Sequence, residues 1–240
     1  MRVLQLEDDA FTARGNAQAL QSMGATVDTA ETCEEAFDLI RFGEYDILLV
    51  DLQMPDLPGH QFVRRLRARG IHTPIAVVTG HADLPSKIAS FEHGADDHIV
   101  KPVAPGELIA RVRAMVRRNF GFSRNLLCEG DLVVDQDTRQ VGLAGSAERL
   151  RLSKKEYALL ELLMLRRGRV VSNASVMNHL YGDADGPQSR TVAVFLCNLR
   201  RKLGEAGLPD VITTLPGVGL MIARREGASD NHAEPIRMAS

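Results

Sequence analysis

The chain has 240 residues, 45% hydrophobic and 25% charged, with 29 Lys and Arg against 31 Asp and Glu, ordinary globular material long enough for two domains. No apolar run approaches the roughly 20 residues a membrane span needs, and the first residues enter a strand-like run instead of a basic and apolar leader, so a cytoplasmic protein without membrane partners is expected. Cys33, Cys128 and Cys197 are odd in number, widely spaced and form no C-x-x-C, which argues against a disulfide framework or a zinc site and predicts three reduced thiols.

From Met1 to about Asn119, apolar runs alternate with helix-like segments, the signature of a doubly wound α/β domain. Strands are predicted near 2–6, 26–29, 46–50, 75–79 and 97–100, and helices near 10–23, 33–42, 58–69, 84–93 and 105–118. Gly24, Gly43 and Gly70 follow helical runs, and Pro105 falls where a first helical turn accepts it. The periodicity lapses around Asn119, Gly121 and Ser123, which sets a first domain at 1–118 and a linker at 119–125.

The second domain, 126–224, opens with strand-like pieces, LLCEGDLVVD, RQVGLAG and RLRL, at the close spacing of an antiparallel meander. Ser153 and Glu156 form a capping box for the helix SKKEYALLELLMLRRG, which Gly168 ends. Asn173 starts a short helix, the polar turn DADGPQS follows, and a third helix runs from Arg190 to Gly204. VITTLP and LMIA, around Gly217 and Gly219, read as a hairpin, and residues 225–240 as a disordered tail.

Charge is divided unevenly: residues 1–120 carry 13 Lys and Arg against 17 Asp and Glu, residues 121–240 carry 16 against 14. The basic excess concentrates on the third helix. There Val192, Phe195, Leu196, Leu199 and Leu203 form an inward stripe, while steps of 100° put Arg190, Val194, Cys197 and Arg201 on the opposite side, flanked by Ala193 and Asn198. A basic helix that follows a short helix and a turn and precedes a Gly-rich hairpin fits a winged helix-turn-helix, with the third helix in the major groove and the hairpin at the minor groove or phosphates.

In the first domain four kinds of group stand at the ends of four apolar runs: Glu7, Asp8 and Asp9 after VLQL, Asp51 after DILLV, Thr79 after PIAVV and Lys101 after HIV. In open parallel sheets ligands collect at the carboxyl ends of strands, so one pocket is expected to hold carboxylates, a hydroxyl and an ammonium. Clustered carboxylates repel one another and call for a bound cation or raised pKa values, and magnesium suits few carboxylates with retained waters. With the cation bound, Asp51 is a candidate nucleophile toward phosphorus, with Lys101 neutralising the transferred group and Thr79 hydrogen-bonding it.

The strings LQLEDDA, LLVDLQMPDLPG, VVTGH and GADDHIVKP resemble the response regulators of two-component signalling, and KEYALLELLMLRRG, MNHLYG and VFLCNLRRKL resemble the OmpR/PhoB branch, CtrA-like regulators in particular. The resemblance implies that Asp51 accepts a phosphoryl group from a sensor histidine kinase or phosphotransfer protein. It implies that Glu7, Asp8, Asp51 and the backbone carbonyl of Gln53 hold magnesium, that Thr79 and Lys101 sense the phosphoryl group, and that Lys101-Pro102 is a cis peptide. Lys87, Asp96, Asp97, Glu107, Arg111 and Arg118 match positions that pair across a two-fold interface, and RNA polymerase is a further partner. Arg190, Thr191, Val194, Cys197, Asn198, Arg200 and Arg201 are the implied DNA-facing residues, with Thr214, Pro216, Gly217 and Gly219 in the wing.

Asn198 is suited to adenine, Val194 to a thymine methyl, and Arg200 or Arg201 to guanine or phosphate. This chain departs from the family at the switch position, where His98 replaces an aromatic residue. It also departs at Val103 after Lys-Pro, at Pro216 in place of a wing arginine and at Leu220 in place of a tyrosine. Two rivals stand beside this reading: a DNA-binding regulator without phosphate control, and an aspartate-nucleophile phosphohydrolase. The second normally needs an acid where Gln53 stands.

Overall fold

The structure is a computed structural model that describes residues 1–80, 83–122, 125–181 and 190–223, with only the backbone of Arg190 and Thr191. The expected turn at 183–189 and the tail at 225–240 lie outside the described residues. The chain divides into two units, Met1–Asn119 and Phe120–Ser240.

In the first unit five strands, β1 Arg2–Leu6, β2 Thr26–Ala30, β3 Ile47–Val50, β4 Ile75–Thr79 and β5 Asp97–Val100, alternate with helices α1 Ala10–Ser22, α2 Cys33–Phe42, α3 Gly59–Ala68, α4 Leu84–Glu92 and α5 Pro105–Asn119. The strands form one parallel sheet in the order β2-β1-β3-β4-β5. The continuous apolar character of β3 and β4 follows from burial on both faces, whereas the edge strand β2, TVDTA, is largely half-buried. One face packs Leu4, Leu6, Leu48, Val50 and Val77 against Phe62, Val63 and Leu66 of α3 and Ala36 of α2. Residues of α1 and α5, among them Leu20, Leu108, Val112 and Val116, are buried as well, and the two helices pack together. Because β1 and β3 lie side by side in the centre of the sheet, the residues just past their ends face a common crevice.

Local chemistry fixes the helix starts. Asp9 caps α1 by accepting from the Thr12 amide at 2.7 Å, and Thr32 caps α2 through the Glu35 amide at 3.1 Å. A second cap on α2 comes from far along the chain: Asp56, in the loop after β3, accepts from the Cys33 and Glu34 amides, each at 3.0 Å. Desolvation pushes the Asp56 carboxyl up, but these amides outweigh it and hold the group below the ordinary carboxylate value. A depressed carboxylate contributes stability above its unfolded pKa, and that contribution disappears as pH falls through the folded value. Asp56→Ala is therefore expected to cost about 1 kcal/mol at neutral pH and less in acid, measured by urea unfolding at both pH values.

In the second unit a three-stranded antiparallel sheet, β6 Leu126–Glu129, β7 Leu132–Asp135 and β8 Gln140–Leu143, precedes three helices, α6 Lys154–Leu165, α7 Asn173–Tyr181 and α8 Arg190–Glu205. RLRL, expected to be a further strand, makes only a single bridge, Arg149 with Gly142. The capping box at Ser153 and Glu156 is present, and Lys202 of α8 reaches the Glu156 carboxylate at 2.7 Å. The helix ends at Leu165, ahead of Gly168, whose amide donates to the Ile222 carbonyl at 2.8 Å. β10 Ile212–Leu215 and β11 Gly219–Ile222 form the hairpin, and β11 also pairs with a two-residue strand, β9 Val171–Ser172, too short to show a pattern in the sequence.

Candidate functional site

The backbone ladder carries on past the strand ends and so fixes the crevice residues. The Glu7 amide donates to Ala30 O at 3.1 Å, the Asp51 amide to Leu6 O at 3.1 Å and the Lys101 amide to Thr79 O at 2.8 Å. The Lys101-Pro102 peptide is cis. Glu7, Asp51 and Thr79 are buried, whereas Asp8 is exposed at the rim.

The Lys101 ammonium lies between two carboxylates, 2.8 and 2.6 Å from Oε1 and Oε2 of Glu7 and 2.5 Å from Oδ2 of Asp51. Repulsion between Glu7 and Asp51 is offset by a cation that the chain itself supplies, the Lys101 ammonium. Burial draws the ammonium down, but hydrogen bonds and attraction from Asp51 and Glu7 together raise it above the ordinary lysine value. Burial, aided by the charges of Asp51 and Asp8, raises the Glu7 carboxyl, and Lys101 only partly reverses this.

Among the described residues, Glu7, Asp8 and Asp51 offer carboxylate oxygens within 4.8 Å of one another. An all-oxygen donor set that is part buried and part open suits a hard divalent cation that keeps some waters. Asp9, adjacent in sequence, is turned away to cap α1. Gln53 sits in the loop after β3, and its amide donates to Asp51 Oδ1 at 3.0 Å, which leaves Oδ2 toward Lys101.

His98 is buried on β5 beside Val77 of β4, with Nδ1 3.1 Å from the Ser90 hydroxyl of α4. That hydroxyl also donates to Ser86 O at 2.9 Å, so Ser90 links the ring to the backbone of α4. Of the charged positions nearby, Arg111 pairs with Asp97 at 3.0 Å and Glu107 at 2.9 Å, and Asp96 pairs with Arg67 of α3 at 2.8 Å. Lys87 and Arg118 are exposed, and Arg118 donates to Ala114 O at 3.2 Å. Leu84, Ile88 and Phe91 expose an apolar stripe on α4, with Val100 exposed at the end of β5.

On α8, Val192, Leu199 and Leu203 are buried and Phe195 and Leu196 half-buried, while Val194, Cys197, Asn198 and Arg201 are exposed. Arg201 pairs with Glu205 at 2.6 Å. Arg200 is turned toward the hairpin, a direction the helical spacing did not reveal. Thr214, Pro216 and Gly217 are exposed, Val218 is 59% exposed at the tip, and Gly219 and Leu220 are buried.

The first unit thus defines a receiver-type α/β domain with an acidic crevice, and the second a winged helix whose third helix exposes Val194, Cys197, Asn198 and Arg201. Residues 3–113 match the family "Response regulator receiver domain" and residues 147–222 the family "Transcriptional regulatory protein, C terminal". The chain is 40% identical over 223 residues to the cell cycle response regulator CtrA of Brucella ovis, covering 92% of this chain and 95% of that protein, and matches CtrA of Brucella anthropi equally. Among solved structures it resembles DrrB, an OmpR/PhoB homologue of Thermotoga maritima, at 28% identity and a TM-score of 0.45, covering 92% of this chain and 98% of that one. The chain belongs to the OmpR/PhoB-type two-component response regulators, DNA-binding proteins that regulate transcription. No helix among the described residues is long and apolar enough to cross a membrane.

Proposed function

We propose that Asp51 accepts a phosphoryl group from a sensor histidine kinase or phosphotransfer protein, and that the modified chain dimerises on promoter DNA in the cytoplasm, where it meets RNA polymerase. The observation that carries this reading is the cluster of Glu7, Lys101 and Asp51 at adjoining strand ends, with the ammonium against the Asp51 carboxylate and Thr79 at the neighbouring end of β4.

The carboxylate Oδ of Asp51 attacks phosphorus, an O–P bond forms, and the donor's bond to phosphorus breaks, leaving the electron pair with the donor atom. Glu7, Asp8, Asp51 and the backbone carbonyl of Gln53 would hold magnesium, which supplies positive charge to the phosphoryl oxygens when bound. Lys101 exchanges its contact with Asp51 Oδ2 for a phosphoryl oxygen, and the Thr79 hydroxyl donates to another. Movement of Thr79 in β4 and Lys101 after β5 then bears on α4, which the His98–Ser90 contact ties to the same strand.

Dimerisation is supported by the exposed apolar stripe of Leu84, Ile88 and Phe91 on α4, together with the exposed Lys87 on that helix and the Glu107–Arg111 pair on α5. On the DNA side the exposed Val194, Cys197, Asn198 and Arg201 are the candidate base and phosphate contacts, with Arg190 and Thr191 at the helix start. Incubation with acetyl phosphate and magnesium is expected to add one phosphoryl group to the intact mass of the wild type and none to Asp51→Asn. Equal uptake by both proteins would remove Asp51 as acceptor, and steady turnover of small phosphomonoesters would favour the phosphohydrolase instead.

A further inference from the structure

The hairpin of β10 and β11 is peculiar for a DNA-contacting element: residues 212–222, ITTLPGVGLMI, contain no charged side chain. Whatever it adds to DNA affinity comes from hydroxyls, backbone amides and shape, all of which act only at the correct distance from the duplex. Position is therefore its main property.

An isolated two-stranded hairpin is marginal in water and needs anchoring. One side is anchored by β9. A Cβ on Gly219 would stand 2.2 Å from Val171 O, so β11 and β9 approach as closely as a glycine permits. The other strand, β10, is the edge of this sheet. Its tie comes from α8, where Arg200 Nη2 donates to Ile212 O at 2.8 Å and to the Thr214 hydroxyl at 2.7 Å. One nitrogen thus grips a carbonyl and a hydroxyl two residues apart on the same strand. The charge on the guanidinium strengthens both bonds.

We propose that Arg200 is a positioning residue: it fixes the uncharged wing to the recognition helix, and its contribution to DNA binding passes through Thr214 and the backbone of β10 instead of through a phosphate or a base. Arg201, one step further round the helix and exposed, remains free to meet DNA at the expense of its solvent-screened pair with Glu205. The proposal depends on the DNA binding of the family and is independent of whether Asp51 is phosphorylated.

The test uses the full chain and a duplex that the wild type enriches from a random-sequence library, with dissociation constants read across a salt series. Thr214→Val removes one hydroxyl at an exposed position and keeps the side-chain shape; Arg200→Lys keeps the charge and loses the two-acceptor grip. Arg200→Lys is expected to weaken binding about fivefold to tenfold and Thr214→Val, which leaves the bond to Ile212 O in place, about twofold to threefold; the double variant should bind no more weakly than Arg200→Lys, because the hydroxyl has no guanidinium to meet once Arg200 is replaced. The slope of affinity against salt should stay at the wild-type value, and hydroxyl-radical protection should fade only on the flank that the wing covers. The opposite pattern overturns the proposal: Arg200→Lys and Thr214→Val binding like the wild type, with Arg200→Gln lowering the salt slope by about one, is the behaviour of a direct phosphate contact. Melting temperatures guard against simple unfolding, and Thr214→Val, with no buried group altered, keeps the test open should Arg200 variants fold poorly.

Discussion

Replacing Lys101 with methionine is expected to destabilise the receiver domain by about 3–5 kcal/mol when divalent cations are chelated, because it leaves two neighbouring buried carboxylates without their cation. Glu7 and Asp51 are 3% and 5% exposed, and the ammonium lies within 2.8 Å of both. The sign of the pH effect follows from Glu7. Its carboxyl is already raised, mainly by burial and against the pull of Lys101, and removing that pull raises it more. A group whose pKa is raised on folding binds more protons in the native state, so the variant loses stability as pH rises through and above the ordinary carboxylate range. Magnesium at a large excess over its dissociation constant should restore most of the loss, since a divalent cation replaces the missing positive charge and binds only the folded state. Thermal melts of Lys101→Met in chelator and in magnesium, at mildly acidic and neutral pH, would show a drop on the order of 10 °C that the metal reverses. A variant that melts with the wild type in chelator would mean that the bridge between the carboxylates contributes little.

Gly59→Ala is the second substitution with a large expected effect, and it acts on Asp51 through the backbone. A Cβ at Gly59 would lie 2.1 Å from the carbonyl oxygen of Asp51 and 2.8 Å from Cα of Leu52. Those are backbone atoms, so no side chain can swing aside, and the amide of Gly59 is itself bonded to Leu52 O at 2.9 Å. Either α3 moves away or the end of β3 is displaced, at a cost of about 1–3 kcal/mol. A displaced Asp51 is also a misaligned nucleophile, and an error near 1 Å can slow a reaction roughly a hundredfold. Phosphoryl uptake from acetyl phosphate should therefore fall far more than the melting temperature suggests. Gly15→Ala serves as the control. It lies exposed in α1 with nothing within 4 Å of a built Cβ, and it should gain about 0.5–1 kcal/mol with uptake unchanged. If Gly59→Ala took up phosphoryl at the wild-type rate, the close approach of α3 would have no bearing on the acceptor.

The candidate crevice was visible as a pattern of strand ends. Asp51, Thr79 and Lys101 each follow an apolar run short enough to be a buried parallel strand, and the order of the sheet then brings those ends together. The capping box at Ser153 and Glu156 was equally legible, since both partners lie within one helical turn. The strands at 171–172 and the missing strand at RLRL were not. A two-residue strand has no period to read, and RLRL has the composition of a strand while only Arg149 finds a bridge partner. His98 could be placed on its strand, but its hydrogen bond to Ser90 depends on how α4 packs over β5.

The amino-acid sequence by itself determined the alternation of strands and helices, the capping box of α6, the inward stripe of α8 and the set of groups at the strand ends. All of these follow from periodicity and from chemistry within a few residues along the chain. Only the tertiary structure decided that Lys101 neutralises Glu7 and Asp51, that Asp56 caps a helix 23 residues before it, that Gly59 presses against the Asp51 backbone, and that Arg200 turns to the wing. The physical reason is common to all four. A hydrogen bond, an ion pair or a steric contact depends on separation and direction in space, and for residues far apart in sequence those are set by the packing of the elements that carry them.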